Sequence, residues 1–141
     1  MEKKQRTLNN KGFSLIELIV VIAIMAILVG VMAPQFIKYV ESSRQSTDIQ
    51  NAAAIRSAVE VGVTNGDITS DVTVSIDKNK IVVSGADAGL TAAGLKNSID
   101  CKSSGWTDGP IGEYSVSTYK WKPTAKTNSN APGRDISSAF N

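Results

Sequence analysis

Histidine is absent from the 141-residue sequence and cysteine occurs once, at Cys101. With one thiol the chain forms no disulfide with itself. Without histidine it offers no Cys/His zinc site, no Cys/His dyad and no Ser/His/Asp triad. Most hydrolase and metalloenzyme readings end there, and the chain is not expected to be an enzyme. A basic stripe is missing too. The 15 Lys and Arg face 13 Asp and Glu, but Lys3, Lys4, Arg6 and Lys11 stand against Glu2 alone in the first 12 residues. The remainder is close to neutral, which argues against general nucleic-acid binding by the folded part. Proline is scarce: after Pro34 none follows until residue 110, leaving room for long uninterrupted helix.

One long apolar run is present. In "KGFSLIELIVVIAIMAILVG", residues 11–30, a single carboxylate, Glu17, interrupts a stretch of membrane-spanning length. A helix from Phe13 to Ala33 would rise roughly 31 Å, close to the thickness of a bilayer's hydrocarbon. A carboxylate in such a helix costs roughly 2.5–3.5 kcal/mol at its centre, so Glu17 needs a partner or a purpose. The basic residues before the run predict that this end stays in the cytoplasm and that everything after Ala33 lies outside. A plain signal anchor satisfies the same pattern. A cleaved secretory signal ending at "VMA" fits less well, because its apolar region is normally shorter and uncharged. Pro34 and Gly30 mark the place where the helix is expected to kink or loosen.

Beyond Pro34, Ile49, Ala52, Ile55, Val59 and Val63 recur at steps of three and four, one face of an amphipathic helix. Glu41, Arg44, Asp48, Arg56 and Glu60 are assigned to its polar face, and Asn65-Gly66 supplies the stop. The two halves join into one helix of about 50 residues. Val72, Val74 and Ile76 then alternate with polar residues, "DKNK" turns and "IVVSG" returns, a hairpin. A short helix is expected near Thr91 to Ile99, and one strand along "GEYSVSTYKW", where Tyr114, Val116 and Thr118 alternate with Ser115, Ser117 and Tyr119. The tail from Pro123 reads as loop anchored by Ile136 and Phe140, with room for a closing edge strand. The fold class expected is α+β: a long N-terminal helix, membrane-spanning in its first half, whose second half packs on a small antiparallel sheet.

The segment "KGFSLIELIVVIAIMAILVGVMAPQF" resembles the leader and N-terminal helix of type IV prepilins and the related pseudopilins. The resemblance rests on a basic leader ending in Gly12, then Phe13, Ser14, Leu15, Ile16 and Glu17 at the fifth position after the cut, the apolar run and Pro34. It covers roughly the first 45 residues; the remainder matches by architecture alone. It implies cleavage between Gly12 and Phe13 by a membrane-embedded prepilin peptidase, N-methylation of Phe13, and entry into a homo-oligomeric filament driven by a platform protein and a cytoplasmic ATPase. Residues 1–12 are then the leader, 13–34 the membrane and filament-core half of the helix, 35–66 its amphipathic half and 67–141 the β-rich part. The precursor would sit in the cytoplasmic membrane, and the assembled subunit at the cell surface or in the periplasm.

The residues suit that picture. Gly12 has no Cβ, so the leader's last residue can approach a protease closely. Cutting there exposes a cation at Phe13 one helical turn from Glu17. The carboxylate can pair with its own amine or with that of a subunit already in the filament, fixing register as a buried polar residue does in a coiled coil. Snorkelling to the interface is the plainer alternative. Adhesion, motility or DNA uptake would be the filament's service, with DNA or surface binding left open. A pseudopilin of a secretion system is the rival in the same class, and a signal-anchored binding module the rival in another.

Two features depart from many relatives: Ala26 replaces a helix-loosening glycine, and Cys101 alone cannot close a C-terminal disulfide loop. Cys101 is expected to be a small buried residue. Secretion pseudopilins often bind calcium in a C-terminal loop, but Asp87, Asp100, Asp108, Glu113 and Asp135 lack the dense spacing of oxygen ligands, so neither metal nor cofactor is expected. Trp106, Tyr114, Tyr119 and Trp121 read as core or cross-strand packing in preference to a stacking surface.

Overall fold

A computed structural model describes residues 12–130 and 133–141; of the leader assigned to residues 1–12, residues 1–11 lie outside the described residues. The chain divides into two units, Met1–Ile37 and Lys38–Asn141. One helix, α1 (Leu15–Asn65, 51 residues), contributes to both, with Pro34 inside it. In the first unit every described side chain is exposed, including Leu15, Ile24, Leu28 and Phe36. An 18-residue window of this helix reaches a mean hydropathy of 3.0 with none of it buried, so by length and composition it can cross a membrane.

In the second unit α1 ends where Asn65-Gly66 predicts. Gly66 takes φ 85°, its amide donates to Val63 O at 3.1 Å and the Asp67 amide to Gly62 O at 2.9 Å. That pair of bonds is a Schellman cap, and it needs a residue that tolerates the left-handed region. The hairpin follows as expected. Strands β1 (Val72–Asp77) and β2 (Lys80–Ser84) join through Lys78 and Asn79, both at positive φ. Two such residues give the mirror-image turn whose twist suits a two-residue hairpin.

Two expectations are corrected here. The short helix lies earlier than Thr91 to Ile99: α2 is Asp87–Ala92, and Ser98–Asp100 is a strand, β3. Gly94, at φ 72°, ends the helical segment while the Leu95 amide returns to Leu90 O at 2.8 Å. The chain is then free to pair beside β2. The single strand along residues 112–121 is instead a second hairpin, β4 (Gly109–Ser115) and β5 (Lys120–Pro123). Its turn closes through the Tyr119 amide to Ser115 O at 2.8 Å, and the Val116 amide donates to Asp71 Oδ1 at 2.8 Å. The alternation of Tyr114, Val116 and Thr118 therefore does not continue down one strand.

The sheet runs β3-β2-β1-β4-β5 with every pair antiparallel. Its inner face supplies Val72, Val74, Ile76, Ile81, Val83 and Ile111 to a core shared with Ala52, Ile55, Ala58 and Val59 of α1. Truncating a fully buried side chain such as Ile55 to alanine in a core of this kind costs about 2–5 kcal/mol. The tail forms a 3-10 helix, Ile136–Phe140, whose two expected anchors are both buried. Tyr114, Trp121 and Phe140 stack in sequence, with ring centroids 5.0 and 4.7 Å apart.

Candidate functional site

Ser14 precedes the first turn of α1 and Glu17 is the third residue of the helix. The Ser14 amide donates to Glu17 Oε2 at 2.8 Å. The Leu18 amide donates to Ser14 O at 3.3 Å. The carboxylate thus satisfies a backbone donor at the helix's positive end, where a negative charge is favoured. Phe13, Glu17, Leu18 and Val21 border one shallow groove on this exposed surface.

Gly12 and Gly30 have no packing reason to be glycine. A Cβ built at either would meet nothing within 4 Å. Gly30 sits inside the helix, where glycine costs about 1 kcal/mol relative to alanine. It stands four residues before Pro34, and an α-helix bonds each N–H to the carbonyl four residues back. Proline has no N–H, so the Gly30 carbonyl loses its regular partner at the same place where the backbone gains freedom. Gly62, Gly89 and Gly112 contrast with these: a Cβ at Gly112 would come 2.7 Å from Phe140 Cγ, and one at Gly89 or Gly62 would collide with Ile68.

The acidic residues weighed as calcium ligands occupy separate settings. Asp87 accepts from Asn97 Nδ2 at 2.6 Å, Asp100 pairs with Lys80 at 3.3 Å, and Glu113 is exposed on β4. Asp108 is also exposed, and Asp135 caps the 3-10 helix through the Ser137 amide. Among the described residues no three Asp, Glu or Cys side chains come together as a metal-holding group. Cys101 is buried, and burial next to Asp48 and Asp100 pushes its thiol up to about 12. Trp106 and Tyr114 are buried and Trp121 half-buried, as core packing requires, whereas Tyr119 is 71% exposed at the β4–β5 turn.

Asp48, expected on the solvated face, is fully buried. Its Oδ1 accepts the Lys102 amide at 2.6 Å, and its Oδ2 accepts the Ser103 amide and Trp106 Nε1, each at 2.9 Å. Three donors from one loop replace the water that the carboxylate loses. Ser103 Oγ donates in turn to Glu41, and Asn128 Nδ2 donates to Ser103 Oγ at 2.9 Å. The signal was present in the sequence, because Asp48 lies four residues before Ala52 and so on the core face. Ser14 and Glu17 likewise form the S-x-x-E pattern of a capping box.

Residues 7–33 match the family model described as the prokaryotic N-terminal methylation motif. Over 66 residues the chain is 48% identical to the prepilin peptidase-dependent protein A of Clostridium perfringens, covering 46% of this chain and 47% of that one. It is 40% identical over 63 residues to the type IV major pilin protein of Myxococcus xanthus, covering 45% of this chain and 29% of the relative. Over its N-terminal part the chain is similar to type IV pilins. A third relative, the major component of the narrow type IV pilus of Thermus thermophilus, is 43% identical over 51 residues, which cover 36% of this chain and 44% of that one. Each match thus spans less than half of either protein. These pilins are structural subunits, not enzymes. No solved structure matches the chain.

Proposed function

We propose that this chain is a structural subunit of a type IV pilus or a closely related filament, made as a precursor anchored in the cytoplasmic membrane. A prepilin peptidase cuts between Gly12 and Phe13, Phe13 is N-methylated, and a platform protein and an ATPase drive assembly at the surface. The observation that carries the reading is the apolar first half of α1: none of its window of hydropathy 3.0 is buried among the described residues. Lipid covers it before assembly, and the same half of other copies covers it afterwards. Glu17 then sets register by pairing with a Phe13 amine, its own or a neighbour's. Gly30 and Pro34 let the helix adjust as it leaves the bilayer. The relatives' names support the subunit reading. Adhesion, motility and DNA uptake are services the assembled filament would perform.

Intact mass and N-terminal peptide sequencing of sheared and membrane fractions test this proposal. An N-methylated Phe13 start in the sheared fraction is expected. A chain beginning at Met1 and confined to membranes, in cells with an active prepilin peptidase, would favour a signal-anchored module instead.

A further inference from the structure

The helix segment "ESSRQSTD", residues 41–48, contains no apolar side chain. Its two buried residues, Gln45 and Asp48, are both polar, and the hydrophobic core takes hold of α1 only from Ile49 onward. What fastens the segment to the rest of its unit is a set of hydrogen bonds. Asp48 takes three donors from residues 102–106, and Glu41 takes Ser103 Oγ. Arg134 donates to Ser46 Oγ at 2.8 Å and to Ser42 Oγ at 3.0 Å. Asn128 joins the two loops by donating to both Ser103 Oγ and Ser104 O.

The helix beneath these bonds is intrinsically weak. Ser46 Oγ and Thr47 Oγ1 donate to the carbonyls four residues back, at 3.0 and 3.2 Å, a habit that loosens helices. Gln45 is fully buried, yet neither its amide nitrogen nor its oxygen finds a partner among the described residues. A buried amide without partners favours any state that lets water in.

We infer that residues 41–48, loops 101–106 and 127–130, and Arg134 form a polar latch that opens as a unit while the core around Ile55, Val59 and β1 stays folded. No latch residue of α1 belongs to the apolar core; Cys101 and Trp106 of the loop do, so opening uncovers those two side chains while the contacts among Ile55, Val59 and β1 remain. Opening hydrates Asp48, Glu41 and Gln45 together and frees eight helical residues to unwind or lengthen. The second unit thereby has a polar joint within α1, just ahead of the point where its apolar core begins. This inference does not depend on filament assembly, and its test reads the isolated chain.

Hydrogen exchange with mass readout, on the full chain in detergent micelles, distinguishes the possibilities. In the wild type, amides of residues 42–48 and 102–106 should exchange through smaller openings than those of 55–63 and 72–84. Asp48→Asn, which keeps the shape but loses the charge, should speed exchange in 41–48, 101–106 and 127–130 by roughly tenfold or more, with little change in 55–63. Ser103→Ala should act on the same segments more mildly. Equal protection of latch and core in the wild type would overturn the inference. So would acceleration of both by one factor in Asp48→Asn, no acceleration in the latch, or loss of the sheet in that variant.

Discussion

The Ser14 amide and Glu17 Oε2, 2.8 Å apart, close the amino end of α1 three residues into the helix. In the uncut chain the carboxylate therefore has a neutral backbone partner. Cleavage at Phe13 would place a cation one residue before that amide, giving Glu17 a stronger, charge-assisted alternative.

Glu17→Ala should leave leader removal and membrane insertion largely intact while reducing the yield of sheared filaments. The lost cap is expected to cost the helix about 0.5–2 kcal/mol, a local effect that lipid burial of the apolar run exceeds. Wild-type filament yield from the mutant would remove Glu17 from any registration role.

Gly12 and Gly112 should respond to a side chain in opposite ways. Gly12→Val meets open space, so the globular unit should melt as in the wild type while leader removal fails, seen as a precursor-sized band on a gel. Gly112→Ala drives a methyl into Phe140 and should destabilise the fold by about 1–3 kcal/mol in a urea titration.

Trp106→Phe keeps an aromatic ring in its buried place but removes the indole donor from Asp48. Hydrogen bonds to a charged group contribute about 1.5–3 kcal/mol, so a stability loss of that order is expected from chemical denaturation of the full chain in micelles. Trp121 should keep its contact with Phe140, and its emission would report whether the sheet end is undisturbed.

Cys101 should resist alkylation. The thiolate is the nucleophile, and with the thiol held up to about 12 the folded protein carries almost none at pH 8. Iodoacetamide should label it only after denaturation. Because the folded value is raised, the stability linked to this proton is fully present below the unfolded thiol's ordinary value. It is lost as the pH rises from about 9 toward about 12. Rapid labelling of native protein at pH 8 would contradict the burial.

Local signals account for what could be read from the chain alone. The helix, its stop at Asn65-Gly66 and the first hairpin follow from spacing and turn residues within a few positions of one another. The burial of Asp48 is not legible locally, because its partners lie more than fifty residues away, on a loop with no regular period. Its register with Ala52, Ile55 and Val59 already put it on the inner face; its charge argued the other way. The second hairpin was hidden for a different reason. Its turn contains no glycine, and Tyr119 takes φ 56°, a conformation that bulky residues rarely adopt. The position of α2 depended on Gly94, one breaker in a stretch rich in small residues.

The sheet's two margins bear on how such a chain would behave in a crowd. On one side β3 has only three residues; on the other, β5 reads Lys120, Trp121, Lys122, Pro123. Short strands, lysines and proline at an edge discourage another chain from adding a strand there. In the filament proposed above, copies of the chain would sit at very high local concentration. The blunted strand edges would keep that crowding from turning into amyloid-like gelation.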